Sequence, residues 1–181
     1  MRTHRLIAGV TLLLQLWVAT AAAAAPTDAV DEGKLRAAMV FSLLKFVQWP
    51  TGTLKTGEPL QLCHIDVDDS HAEALARLRG KVAQEHPLQV TAARSASDLA
   101  LCNVVVTGSR RANAPALPLP PAGVLTIGTD DFVLHGGMIG IVSQDDRLTL
   151  EFNVANLRRA QLFVPAQVLG LGKRVALTAN P

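Results

Sequence analysis

Tyrosine is absent from this 181-residue chain, which also contains no Gly-x-Ser-x-Gly elbow and no Cys-x-x-Cys pair. These gaps remove the usual marks of a nucleophilic serine hydrolase and of a thiol redox centre. Gly170-Leu171-Gly172 lacks a third glycine and a preceding strand, so it is no dinucleotide fingerprint. Charge is sparse and nearly balanced, with 17 basic and 15 acidic residues. No run or stripe of lysine and arginine can track a nucleic-acid backbone. Past the first 25 residues no apolar run is long enough for a membrane-spanning helix. The absences together predict no catalytic residues, no cofactor and no nucleic-acid partner.

What is present begins with a cleavable-looking export signal. Arg2 and Arg5 supply the positive start, residues 6–19 an apolar stretch, and residues 21–25 the small side chains after which a signal peptidase cuts. Cleavage near Ala25 leaves a short polar leader, 26–33, and one domain over 34–178. Arg2 and Arg5 depart with the signal, so the mature chain carries fifteen charges of each sign. The mature length suits a single core.

Cys63 and Cys102 are the only cysteines. In an oxidising compartment two cysteines usually form one bridge, a structural staple here; two separate buried thiols are the alternative.

Residues 34–50 read as an amphipathic helix stopped by Trp49-Pro50, since the residue before a proline avoids helical backbone. Leu35, Met39, Leu43 and Phe46 fall on its apolar face, with Val40, Leu44 and Val47 beside it. Lys34, Lys45 and Gln48 form the polar face, and helical spacing places Phe41 among them. Phe41 is therefore either covered by a loop or a contact for another subunit or partner.

Strands are expected at 60–67, 88–92, 104–107 and 124–127, with a helix over 70–78 and a helical turn at 97–101. An alanine- and proline-rich loop spans 112–121. Runs 138–143 and 147–153, joined by Gln144-Asp145-Asp146, make a hairpin. Helices follow over 154–161, capped by Asn153, and over 166–175, opened by Pro165. This order predicts a single-domain α/β fold, a mainly parallel sheet with helices on both faces and an antiparallel hairpin towards the C-terminus.

Two clusters carry polar chemistry. His64, Asp66, Asp68, Asp69 and His71 lie where a strand ends and a helix begins, a place where open sheets bind ligands. They are more simply a solvated turn and a Ser70–Glu73 capping box than zinc ligands, and no metal site is expected. The pairs Asp130–Asp131 and Asp145–Asp146 read as turns. In the hairpin–helix block, Glu151 and Asn153 share a strand face and Arg158 and Arg159 follow in the helix. They form either local surface pairs or a polar recess for a ligand or a partner's side chain.

Four blocks then coincide with a known family: KLRAAMVFSLLKFVQWP behind the signal, PLQLCHIDVDDSHAEAL, SDLALCNVVVTG, and GVLTIGTDDFVLHGGMIGIVSQDDRLTLEFNVANLRRAQL. In this order they cover nearly the whole mature chain. The chain resembles the YfiR-like family of periplasmic proteins, named for a repressor of a membrane-bound diguanylate cyclase. An aromatic is also usual at the position of Phe41. The resemblance implies a periplasmic α/β domain, often dimeric, that works by contact. Its partners would be an inner-membrane sensor, a cyclase or a kinase, and an outer-membrane lipoprotein able to sequester it. Cys63 and Cys102 match the family's structural disulfide, whereas the founding repressor's second cysteine pair near the hairpin is missing here.

The leading expectation is a periplasmic regulator that restrains the sensor domain of such a membrane protein, most simply a diguanylate cyclase in cyclic di-GMP signalling. The alternative is a periplasmic small-ligand-binding module, with strand ends and the Glu151–Arg158 region as its pocket.

Overall fold

The computed structural model describes residues 31–108, 120–145 and 147–175. The expected export signal, most of the expected leader and most of the expected alanine- and proline-rich loop lie outside these residues.

Among the described residues eight strands form one sheet: β1 (Leu60–Ile65), β2 (Val82–Ala83), β3 (His86–Ala92), β4 (Val104–Thr107), β5 (Leu125–Thr129), β6 (Ile139–Gln144), β7 (Arg147–Phe152) and β8 (Gly172–Arg174). Their spatial order is β2-β3-β1-β4-β5-β6-β7-β8. The central run from β3 to β6 is parallel, β6 and β7 are the antiparallel hairpin, and β2 pairs antiparallel at the far edge. β8 runs parallel to β7. The α-helices are α1 (Glu32–Leu44), α2 (Asp69–Ala76), α3 (Val154–Arg159) and α4 (Ala166–Leu169).

Handedness distributes the connections. From β1 the chain steps to β3 on one side and then back past β1 to β4, so right-handed crossovers must lie on opposite faces. The first carries α2 and the second the 3₁₀ segment Ala96–Leu101. On the α2 face, Leu62, Val90, Val106, Ile127, Ile141 and Phe152 share one core with residues of all four α-helices. On the other face Cys63, Cys102, Val105 and Ala93 make a smaller cluster. Phe132, from the 3₁₀ segment Asp130–Phe132, packs where Gly128 has no side chain: a Cβ there would stand 2.2 Å from its ring.

Several local expectations are corrected. α1 stops at Leu44, not at Trp49-Pro50: its last turn tightens through Lys45 N–H to Ser42 O and Phe46 N–H to Leu43 O bonds. Gln48 then leaves to exchange both backbone hydrogen bonds with Phe163. The buried stripe of α1 is also rotated. It comprises Gly33, Arg36, Ala37, Val40, Leu43 and Leu44, leaving Leu35 41% and Phe46 47% exposed. The cap of α2 is Asp68, whose Oδ1 accepts the His71 N–H at 2.8 Å, rather than a Ser70–Glu73 box. The final helix ends at Leu169 because Gly170-Leu171 turns the chain into β8, where pairing with β7 outcompetes helix continuation. β2 was not legible in the sequence, being only two residues long.

Candidate functional site

The strand order reverses at β1, and a crevice of about 530 Å³ opens there, at the carboxyl ends of the parallel strands. Asp66 and Asp68 come from the loop after β1, Gly108 follows β4, and Thr129 and Asp130 close β5. Ser143 lies near the end of β6. The starts of two helices complete the wall, with Glu32, Gly33 and Arg36 on α1 and Ser70 and His71 on α2. Asp66 and Asp130 adopt left-handed backbone, φ 54° and 50°, which aspartate tolerates better than most side chains.

Arg36 is buried and tied on two sides. Its Nε donates to Glu32 Oε1 at 3.0 Å, and its Nη1 donates to the carbonyl of Ile141 in β6. The guanidinium thus locks the start of α1 to the sheet. His71 is 2% exposed, and its Nε2 meets no hydrogen-bond partner. Burial holds its imidazole below the ordinary pKa; Asp68 pulls it up, while Arg36 and His64 push it down. Asp68 is held below the usual carboxylate range, chiefly by the His71 N–H it accepts. His64, half-buried on β1, is also shifted down by burial.

Of the polar cluster read from the sequence, the structure brings Asp66, Asp68 and His71 to the crevice. Among the described residues no group of three or more histidine, cysteine, aspartate or glutamate side chains is spaced to hold a metal ion. Arg36 was missed as a lining residue. Its signal was a charge on the 33-36-37-40-44 stripe, which has to be the buried one if Ala37, Val40 and Leu44 are core.

The remaining candidates lie elsewhere. Phe41 is half-buried beneath two ammonium groups, Lys45 Nζ at 4.5 Å and Lys81 Nζ at 5.5 Å from the ring centre. It borders a depression of about 270 Å³ between α1 and α2. Glu151 pairs with Lys173 at 4.0 Å and with neither arginine. Asn153 is buried as the cap of α3, its side-chain oxygen accepting the Asn156 N–H at 3.0 Å. Arg159 donates to Asn156 at 3.3 Å, and Arg158 is exposed.

Cys63 of β1 and Cys102, at the end of the 3₁₀ segment, are joined as a disulfide with Cα atoms 5.9 Å apart. Among the described residues no helix is long and apolar enough to cross a membrane. No curated protein matches the chain. The model of the YfiR/HmsC-like family matches residues 33–173, from the first turn of α1 into β8. The chain belongs to the YfiR/HmsC-like family.

Proposed function

We propose that this protein is a periplasmic regulator that binds the periplasmic sensor domain of an inner-membrane signalling protein and restrains its output. The observation that carries the reading is the family match across residues 33–173, because the family is known for regulating diguanylate cyclase signalling. The sensor is therefore taken to be a diguanylate cyclase, and the output cyclic di-GMP. The protein would act by binding one state of the sensor better than the other, shifting its population by that difference in affinity. The Cys63–Cys102 bridge suits the oxidising compartment this role requires. Phe41 with Lys45 and Lys81 supplies the contact surface, an aromatic side chain ringed by cations that make no ion pair among the described residues.

The test is a photo-crosslinking side chain at Phe41 in intact cells, with cyclic di-GMP measured on deletion of the gene. Capture of an inner-membrane cyclase, with a rise in cyclic di-GMP on deletion, is the expected result. Unchanged cyclic di-GMP with capture only of this chain itself would sink the reading and leave a homodimer.

The crevice at the strand ends favours a second reading, a small-ligand-binding module whose occupancy feeds a sensor kinase. A thermal-shift screen separates the two, since a ligand that binds only the native state raises its melting temperature.

A further inference from the structure

α1 and α2 pack side by side, with Gly33 against Ser70 at their starts. Further along, the buried Ala37 and Ala74 and the exposed Ala38 are too short to fill the seam, and the depression of about 270 Å³ remains there. Phe41 borders it. Lys45 stands four residues after Phe41 on the same helical stripe, so spacing alone brings its ammonium group over the ring, at 4.5 Å. Lys81 comes from a separate element, just past α2 and the left-handed turn at Gly80, and its Nζ lies 5.5 Å from the same ring centre.

Four cations gather on this face, Lys34, Lys45, Arg77 and Lys81. Two of them have carboxylates close by in sequence: Lys34 pairs with Asp31 at 3.2 Å and Arg77 with Glu73 at 3.6 Å. Lys45 and Lys81 are exposed and make no ion pair among the described residues. Phe41 thereby holds two like charges within about 10 Å of each other, on the order of a screening length. The ring attracts each ammonium group through its quadrupole and supplies no counter-charge.

We propose that this face docks an acidic segment of a protein partner, with an aspartate or glutamate carboxylate bridging Lys45 and Lys81 and a neighbouring apolar side chain seated in the depression. A carboxylate has two oxygens, enough to accept from both ammonium groups at once, and such charge-assisted bonds are the stronger kind. The depression is smaller than a typical metabolite site and suits one or two side chains. An anionic membrane surface is the competing occupant. A helix that lies in a membrane interface presents its apolar face to lipid, whereas α1 buries Ala37, Val40, Leu43 and Leu44 in the core. The inference rests on the reading of Phe41 as the contact surface for a membrane sensor, and adds that the sensor meets it with carboxylates.

The test is carbodiimide crosslinking in intact cells, because this reagent joins an amine only to a carboxylate in contact with it. Mass spectrometry of the adducts then names both residues. The expected result is a link from Lys45 or Lys81 to an aspartate or glutamate in the periplasmic segment of an inner-membrane cyclase. Cyclic di-GMP should rise towards the deletion level in a Lys45→Gln, Lys81→Gln double variant. It should rise less in Lys45→Arg, Lys81→Arg, which keeps both charges and guards against a mere loss of folding. The proposal is overturned if the Phe41 photo-crosslink captures the cyclase while carbodiimide links neither lysine to it, or if the glutamine pair represses as fully as the parent. Links only between two copies of this chain, or a photo-crosslink from Ala38 to phospholipid, would also overturn it. Unchanged cyclic di-GMP on deletion of the gene would instead remove the cyclase reading. The docking proposal is then decided by the adducts alone: a link to a carboxylate of another identified inner-membrane protein upholds it, and no link overturns it.

Discussion

Gly33 and Ser70 bring the starts of α1 and α2 into contact through a missing side chain: a Cβ on Gly33 would stand 2.4 Å from Ser70 Oγ and 2.7 Å from the His71 amide nitrogen. The crevice wall depends on this approach, because Arg36 and His71 follow within one turn of each helix start. In an open helix, replacing glycine by alanine gains up to about 1 kcal/mol. At Gly33 the sign reverses, and Gly33→Ala should cost about 1–3 kcal/mol through overpacking. Urea unfolding gives the answer, and a stabilised variant would show that the helices are not so close.

Arg36 and Glu32 should differ sharply when changed. Arg36→Met keeps most of the buried stem but leaves the Ile141 carbonyl without this donor, for an expected loss of about 1–3 kcal/mol. Glu32 is half-exposed, so Glu32→Gln should cost less than about 1 kcal/mol. Equal losses in denaturant melts would mean that the ion pair, not the carbonyl, is the anchor.

Acid should weaken the fold by way of His71. Its imidazole is lowered from 6.5 by burial; Asp68 opposes that shift, and Arg36 and His64 add to it. Between pH 6.5 and the lower folded pKa the unfolded chain binds more protons than the folded one. Stability therefore falls as pH drops through 6.5 and levels off once the folded state titrates. His64 acts in the same direction. Asp68, lowered from 3.8, stabilises above that value and loses its contribution below it. Melting temperatures from pH 8 to pH 5 should decline in the parent and decline less in His71→Gln; parallel curves would remove His71 from the account.

The Cys63–Cys102 bridge closes a separation of 39 residues, worth about 4 kcal/mol on the chain-entropy model. It also pins the 3₁₀ segment Ala96–Leu101 to β1 on the thinly covered face of the sheet. Cys63→Ala, or reduction of the parent, should lower stability by most of that amount. A Cys63→Ala variant as stable as the parent would show that Val105 and Ala93 hold this face without the bridge.

Much of the architecture was legible in local pattern. The β-branched run Val104–Thr107 has side chains fit for burial on both faces and became the fully buried β4. Leu148, Leu150 and Phe152 alternate as one face of a strand, and β7 keeps that face towards the core. Asn153 was readable as a cap because its side-chain oxygen needs only an amide three residues on. The end of α1 was not readable, since it was decided by backbone bonds between Gln48 and Phe163 across the fold. β8 was missed for the same reason: three residues with little strand character form a strand only because β7 offers them a free edge.

By itself the sequence determined the period of each long element, the strand–helix alternation that makes a mainly parallel sheet, and the two cysteines able to bridge. These depend on side-chain pattern and composition, which are local properties. Only the tertiary structure decided where the strand order reverses, which carboxylates meet there, and that Arg36 and His71 lie buried against them. Those facts depend on crossover handedness and on the approach of α1 to α2, which bring together groups from distant parts of the chain.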